Sequence, residues 1–474
     1  MTWNWWHPMS KIDEDVILGA LREINNEYLD TDLVTLGCVR NLSINEGVVS
    51  FNLKLPAPFL PNLKELKNSC EESVMGIEGV EKVEIEHTWE VNRIPSLQNP
   101  GTPSSLEKVR NVIAIASGKG GVGKSTVTVN LAYAFANAGA KVGILDVDIY
   151  GPSIPSMLGL RDHYLTAESV QQGSITPVEV YGMKVISMGF LANSDSPVIV
   201  RGPIASQMVQ QLLAGTAWGE LDYLFVDLPP GTGDIQLTLC QAVPLTGGVI
   251  VTTPQEVAYS IAEKGLKMFQ QVKIPILGIV ENMSHYHCPE CGHADNIFKE
   301  GGGEIAAKKL GLPLLGKIPL SSEIVNAMEE GIPLIKKSKD SESSKAYQEI
   351  AEKVAAQSSV VVMQENMNPD TPQEITITEQ GYLLAKWTNG EEDLIPAIML
   401  RGACPCASCV DEITGKKTLV VEALPHDLMI TNYGYIGRYA IRFEFSDGHD
   451  TGIFDFTRIR KVGETAGEEM SFNV

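Results

Sequence analysis

The stretch GKGGVGKST, Gly118 to Thr126, constrains this chain more than any other. It follows the apolar run VRNVIAIAS and opens the helical segment KSTVTVNLAYAFANAG, which Gly139 closes. Gly118, Gly120, Gly121 and Gly123 let backbone N–H groups turn inward, and the helix adds its positive end at the same point. With Lys119, Val122 and Thr126 completing the loop, the segment is built to cradle phosphate oxygens. Lys124 is placed to reach the β- and γ-phosphates, and the Ser125 hydroxyl to ligate Mg2+. Four more apolar runs follow: KVGILDVD, LDYLFVDLPP, GGVIVTTP and PILGIVENM. They do not alternate, which is the pattern of strands covered on both faces. Residues 109–356 therefore predict an α/β domain with a doubly wound, mostly parallel sheet and its site at the strands' C-terminal ends.

Such strand ends carry carboxylates here. Asp146 and Asp148 close ILDVD, and Asp227 closes LFVD. Asp227 is expected to hold Mg2+ through water, with Asp146 supporting the metal shell and Asp148 orienting the attacking water. Lys124 and Asp148 are the catalytic candidates at this point. Each aspartate has a plainer alternative as a turn or helix cap.

A chain of 474 residues exceeds one ordinary core. Residues 10–92 predict a small α/β domain: DEDVILGALREINNEYL has helical spacing, NLKELKNSCEESVMGI a second helix, and GVVSFNLKL and VEKVEIEHTW alternate. Residues 93–108 and 357–373 predict linkers, although the valines of the second would also suit docking on the main domain. Residues 374–465 predict a small antiparallel β-rich domain from EITITEQGYLLAKWTNG, KTLVVEAL, YAIRFEFSDGH and TGIFDFTRI. Trp3, Trp5 and Trp6 form an odd terminal cluster that either docks or trails. A net charge of −22 argues against nucleic acid, whose binders neutralise phosphates with clustered Lys and Arg. The absence of a long apolar run and of a signal pattern predicts no membrane span and a cytoplasmic protein.

The eight cysteines are unevenly placed. Cys38, Cys70 and Cys240 stand alone and are expected to be small buried side chains. Cys288 and Cys291 form C-x-x-C in HYHCPECGH. Two thiolates do not close a tetrahedral site, but a two-fold dimer would bring four to one axis, as a 4Fe–4S cluster needs. Spacing alone equally allows a zinc knuckle that borrows His285, His287 or His293. Cys404, Cys406 and Cys409 place three thiolates within six residues, and His449 in FSDGHDTGIF is available as a fourth ligand.

The doubled lysine, with DVDIYGPS and DLPPGTGD, resembles the deviant Walker A P-loop NTPases, and within them the Mrp/ApbC-type iron–sulfur cluster carriers. VTTPQEVA, GIVENMS, CPECG and GGGEIAAKKLGLPLLGKIPL match as well, so the resemblance spans residues 109 to about 340. It implies ATP and Mg2+ as ligands, a homodimer, and a 4Fe–4S cluster bridged by Cys288 and Cys291 of two chains. The cluster would pass from the assembly machinery to apo iron–sulfur client proteins. The resemblance also implies that Lys119 crosses the interface to the partner's nucleotide, where a second cation acts as an arginine finger does. Asn282 falls at the position implied to contact adenine. The N-terminal domain resembles the metal–sulfur cluster assembly domain often fused to such carriers. Where many members carry a cysteine in a TPACP-like turn, this chain has LPAPFLP at 55–61, so partner docking is expected of it rather than ligation. The C-terminal domain resembles the N-terminal domain of gamma-butyrobetaine hydroxylase, which implies structural Zn2+ on Cys404, Cys406, Cys409 and His449; a second iron–sulfur site is the alternative. Two other function classes stand beside the carrier. A positioning or partitioning switch would need a basic surface or an amphipathic terminal helix, and a zinc-dependent ATPase adaptor would need no cluster.

Overall fold

The structure is a computed structural model that describes residues 12–472, apart from 27, 30, 95–102, 150, 167–169, 172–173, 192–201, 232, 256–257, 289–290, 292, 412–413 and 415. The three early tryptophans, and residues 95–102 of the first expected linker, lie outside the described residues.

The N-terminal unit opens with α1 (Glu14–Arg22), capped by the Asp13 carboxylate, which accepts from the backbone N–H of Asp15 and Val16. The short antiparallel pair β1 (Asn25–Asn26) and β2 (Thr31–Asp32) follows. Then come β3 (Val39–Asn45), β4 (Val48–Leu55), α2 (Leu63–Met75) and β5 (Lys82–Trp89). Strict alternation along β4 buries Val49, Phe51, Leu53 and Leu55. β3 pairs antiparallel with β4, and β5 pairs parallel to it through the α2 crossover. β3 is absent from the sequence expectation because none of its residues is fully buried, so its pattern is faint.

The central unit is a nine-stranded sheet. It is made from β6 (Val109–Ala116), α3 (Lys124–Asn137), β7 (Val142–Asp146), α4 (Ile154–Met157), the pair β8 (Val170–Gln171) and β9 (Ser174–Ile175), β10 (Val178–Val180), β11 (Met183–Ser187), α5 (Gly202–Gly215), β12 (Leu221–Asp227), α6 (Asp234–Ala242), β13 (Gly247–Thr252), α7 (Ala258–Gln271), β14 (Ile276–His287), β15 (Ala294–Asp295), α8 (Gly302–Leu310), β16 (Leu314–Leu320), α9 (Ser322–Glu329), α10 (Leu334–Lys337) and α11 (Glu342–Met367). The order is β10-β11-β7-β12-β6-β13-β14, with β15 and β16 both on β14. Every pairing from β11 through β16 is parallel; β10 and β15 alone run antiparallel. Along β6, Ile113 and Ile115 enter the core under α3 and α11, while Val112, Ala114 and Ala116 enter the core under α5, α6 and α7. Two covered faces explain why these strands read as continuous apolar runs.

The expected second linker is mostly helix. α11 continues through Met367, burying Val354, Ala355, Val360 and Val362, and the Ser358 and Ser359 hydroxyls donate back to the Ala355 carbonyl. Its serines and β-branched residues give it a loop-like composition, and packing overrides that preference.

The C-terminal unit has β17 (Pro372–Ile377), β18 (Leu383–Trp387) and β19 (Glu392–Ile395) in one antiparallel sheet. After α12 (Ala397–Gly402), a second antiparallel sheet holds β20 (Ile430–Ile436), β21 (Ala440–Phe445) and β22 (Ile453–Asp455), and α13 (Phe456–Phe472) closes the chain. One core of Trp387, Phe443, Phe454 and Ile459 joins them. KTLVVEAL is not a strand: Thr418 and Leu419 donate to the Cys409 carbonyl, wrapping the segment around the cysteine loop, and it then turns as a short 3-10 helix. TGIFDFTRI is strand only to Asp455 and helix from Phe456.

Neither flank hangs free. Phe59 of the LPAPFLP turn meets Phe135 of α3 edge-on at 4.8 Å, and the Ser359 hydroxyl of α11 shares its proton between the Ala355 carbonyl of its own helix and, at 3.3 Å, the Pro56 carbonyl. On the other side Arg438, in the turn between β20 and β21 with its side chain 11% exposed, pairs with the buried Glu365 of α11 and donates to the Thr246 carbonyl at 2.9 Å. Removing one member of a buried ion pair strands the other charge. Arg438→Met is therefore expected to cost about 3 kcal/mol or more in denaturant unfolding. The double change Arg438→Met, Glu365→Leu is expected to recover most of that loss. Wild-type stability in Arg438→Met contradicts this account of the docking.

Candidate functional site

The phosphate loop sits where β6 ends and α3 begins. Gly121 and Gly123 take left-handed φ of 77° and 80°, which turns the loop N–H groups to one side. A Cβ at Gly123 would lie 2.3 Å from Asn282 Nδ2, so only glycine fits there. Asn282, near the middle of β14, donates Nδ2 to the Val122 carbonyl at 2.8 Å. It thus braces the loop, and it also lines the adjoining cavity.

One carboxylate organises the loop's polar side chains. Asp227, fully buried at the end of β12, accepts from Lys124 Nζ and Ser125 Oγ at its Oδ2, each at 2.6 Å. Thr128 Oγ1 donates to its Oδ1 at 2.6 Å. Asp227 and Ser125, two of the three residues expected at Mg2+, are thus in direct contact. Asp148 Oδ2 lies 3.9 Å from Lys124 Nζ, within reach of the same phosphate end. Asp146 is fully buried beside them and accepts from Ser187 Oγ at 2.8 Å and from the Asp148 N–H at 3.1 Å. Burial, and then the charge of Asp227, push its carboxyl up to about 7.

Two adjoining hollows run along this loop. One, of about 220 Å³, is walled by Gly120–Thr126, Asp148 and Pro230. The other, of about 320 Å³, is mostly apolar and includes Met157, Asn282, Met283, Ile324 and Met328. They share Gly123, Thr126, Ser153 and Met157, so the polar hollow at the loop opens into the apolar one. Lys119 is half-buried, and its Nζ donates to Gln255 Oε1 of the same chain at 2.7 Å. To reach a second chain it must leave Gln255.

β14 carries the loop's neighbour to the cysteines. After Asn282 the strand passes Met283 in a left-handed conformation (φ 58°) and leaves the register of β16. It then pairs with β15 as a hairpin, Tyr286 facing Asp295 and His287 facing Ala294. Cys288, half-buried, and Cys291, exposed, sit at this tip. His285 and His287 converge on Glu342 at the start of α11.

In the C-terminal unit Cys404, Cys406, Cys409 and His449 do come together. His449 Nε2 lies 3.1, 3.5 and 4.0 Å from the three sulfurs in chain order. Burial pushes the Cys404 thiol up to about 12. Burial opposes ionisation of Cys406 too, but hydrogen bonds with Thr451, Cys404 and Cys409 prevail and bring it to about 7. Arg401 donates to Cys409 Sγ at 3.2 Å and to Asp447, which accepts the His449 N–H. Three soft donors and one imidazole, held by such outer contacts, suit a closed tetrahedral ion. The lone thiols differ: burial lifts Cys38 and Cys70 to about 11 and Cys240 to about 12, so they pack rather than react.

A family model described as NUBPL iron-transfer P-loop NTPase matches residues 108–355. The chain belongs to this family. Models for an iron-sulfur cluster assembly protein and for gamma-butyrobetaine hydroxylase-like, N-terminal, match residues 14–86 and 375–460. The chain is similar to the iron-sulfur cluster carrier protein of Synechocystis sp., 46% identical over 351 residues, which cover 74% of this chain and 99% of that one. It is also similar to the chloroplastic Fe-S cluster assembly factor HCF101 of Arabidopsis thaliana, 36% identical over 447 residues, 93% of this chain and 81% of that one. Among solved structures it resembles a nucleotide-binding protein in complex with ADP from Archaeoglobus fulgidus, at 42% identity and a TM-score of 0.44, covering 48% of this chain and 90% of that one. Among the described residues no helix is long and apolar enough to cross a membrane.

Several working residues of this P-loop NTPase lie outside the sequence expectation: Thr128 and Ser187 on the carboxylates, Gln255 on Lys119, and Gln236. The Gln236 side chain donates to the Pro229 and Gly231 carbonyls and accepts the Gly233 N–H, shaping the loop after Asp227. The partners of Thr128, Ser187 and Gln255 are distant in the chain, and the contacts of Gln236, three to seven residues away, lie in an irregular loop, so no periodic spacing marks them. Only Thr128 carries a signal, one turn after Lys124 on the same helix face. Thr128→Val keeps the shape and removes a buried hydrogen bond to a carboxylate. It is expected to lower the unfolding free energy of the nucleotide-free protein by about 1.5–3 kcal/mol in a denaturant titration. No shift contradicts the role given to Thr128.

Proposed function

We propose that the protein is an ATP-hydrolysing carrier that binds a 4Fe–4S cluster on Cys288 and Cys291 of two chains and hands it to apo iron–sulfur client proteins. One observation carries this: the strand that braces the phosphate loop through Asn282 runs on to present the cysteine pair. Cys288 lies six positions after Asn282, at most about 20 Å of extended chain. The family membership and the named carriers it resembles support the same function.

ATP would lie with its phosphates against Gly118–Thr126 and its base toward the apolar hollow. Phosphate oxygens would take Lys124 Nζ from Asp227, freeing that carboxylate to face the metal beside Ser125. Mg2+, when bound, neutralises phosphate charge. Asp146 supports that shell, and Asp148 orients the attacking water. Lys119 would release Gln255 and reach the nucleotide of the other chain, so that turnover requires two chains. A shift of the loop would pull on Asn282 and so on the strand leading to the cysteines. At a symmetric, exposed tip the four thiolates hold the cluster where a client can take it.

In this reading residues 10–92 dock partners, since the LPAPFLP turn is spent on packing against α3 and α11. Residues 374–465 hold structural Zn2+ on Cys404, Cys406, Cys409 and His449, which staples two small sheets. The division into 10–92, 109–356 and 374–465, and action in the cytoplasm, belong to the same proposal.

After anaerobic reconstitution with iron and sulfide, Cys288→Ala and Cys291→Ala are each expected to lose cluster absorbance. Undiminished iron binding in Cys288→Ala rejects the cluster assignment. Lys119→Ala and Asp148→Ala are each expected to suppress ATP turnover while nucleotide-free unfolding of Lys119→Ala stays normal. Wild-type turnover in both rejects the hydrolytic scheme. Protein as purified is expected to carry about one zinc per chain, lost with unfolding of the C-terminal unit in Cys404→Ser. Zinc content unchanged in that variant, or iron in its place, contradicts the zinc assignment.

A further inference from the structure

No step above uses the two imidazoles and the carboxylate that meet beside the cysteine hairpin. His285 and His287 are two residues apart on β14, so their rings leave the same face, with centroids 4.8 Å apart. Opposite them stands Glu342, the first residue of α11 after its Ser341 cap. Its Oε1 lies 3.2 Å from His285 Nε2 and its Oε2 lies 2.7 Å from His287 Nδ1. All three ligand atoms fall within 4.8 Å of one another.

The outer contacts give this meeting a direction. Ser284 has one hydroxyl proton, which goes to the Ile318 carbonyl at 3.0 Å. Its oxygen therefore accepts from His285 Nδ1, 2.8 Å away. In a neutral imidazole that leaves a lone pair on Nε2, pointed at the Glu342 carboxylate. Two acceptors facing each other need either a proton or a metal ion between them. A second-sphere hydrogen bond that sets the tautomer is also how metal-bound histidines are held. Two imidazoles and one carboxylate are the ligand set of open sites for zinc and for ferrous iron. The three side chains are 26%, 42% and 54% exposed, so an ion can enter from solvent.

We propose that His285, His287 and Glu342 form an open three-ligand site for a divalent first-row transition ion, Fe2+ or Zn2+, separate from the thiolates of Cys288 and Cys291. Filled, it ties the strand that bears the cysteines to α11, the helix whose far end holds Arg438 of the C-terminal unit. The site does not depend on the carrier reading, and its test is run without the cysteines so that the two fail separately.

Full-length protein bearing Cys288→Ala and Cys291→Ala is titrated anaerobically, in separate arms, with Fe2+ and with Zn2+, after its resident zinc has been counted. One added equivalent is expected in at least one arm, and the tighter arm names the ion. That equivalent is expected to vanish in His285→Ala, His287→Ala and to weaken in Glu342→Gln, with circular dichroism unchanged. It is expected to persist in His293→Ala. No added equivalent in either arm overturns the proposal in favour of a bare imidazolium–carboxylate pair. So does an equivalent that survives loss of both histidines.

Discussion

A single buried carboxylate holds the nucleotide end of this molecule together. Asp227 has no exposed surface, and an unpaired charge there would cost far more than the domain's net stability. It is tolerated because Lys124, Ser125 and Thr128, all from the first turns of α3, donate to it. Those donors are in reach only because β12 lies between β6 and β7, with Asp227 level with Ile115 on one side and Asp146 on the other. Parallel order thus brings two acidic strand ends side by side, and the pair survives because Asp146 is pushed toward its neutral form. The same network holds Lys124 and Ser125 on Asp227 beside the glycine loop, where little of either side chain is exposed.

From that point two mechanical paths leave. One goes through Asn282 along β14 to the cysteine hairpin, with a left-handed residue at Met283 marking where the strand shifts register on β16 before Tyr286 pairs with Leu320. The other goes through α3 to α11, which touches the N-terminal unit at Pro56 and the C-terminal unit at Arg438. Both paths meet again at Glu342, where α11 starts against His285 and His287. The flanking units are thereby tied to the helix that covers the nucleotide domain rather than strung from it.

The phosphate loop and the five apolar strands were legible because their rules are local: glycines for backbone turns, and continuous apolar runs for strands covered twice. The Cys404, Cys406, Cys409 and His449 grouping was legible because three of its four members lie within six residues. What stayed hidden depends on contacts distant in sequence. β14 was expected to end near Met283, since Ser284, His285 and His287 look unlike core; their partners are Ile318 and Glu342. The tail of α11 read as a linker because Ser358 and Ser359 satisfy their hydroxyls on the helix backbone. α13 was missed because its packing partner, β19, is about sixty residues earlier, with Arg460 lying over Trp387 and bonding Asp393.

The central claim is that two copies of this chain share one inorganic cluster at the hairpin tip. Sedimentation velocity of anaerobically reconstituted protein, read at a wavelength absorbed by the cluster and again at one absorbed by protein, tests it most directly. The account predicts that all cluster absorbance moves with a two-chain species and that Cys291→Ala removes it. Cluster absorbance moving with single chains would contradict it.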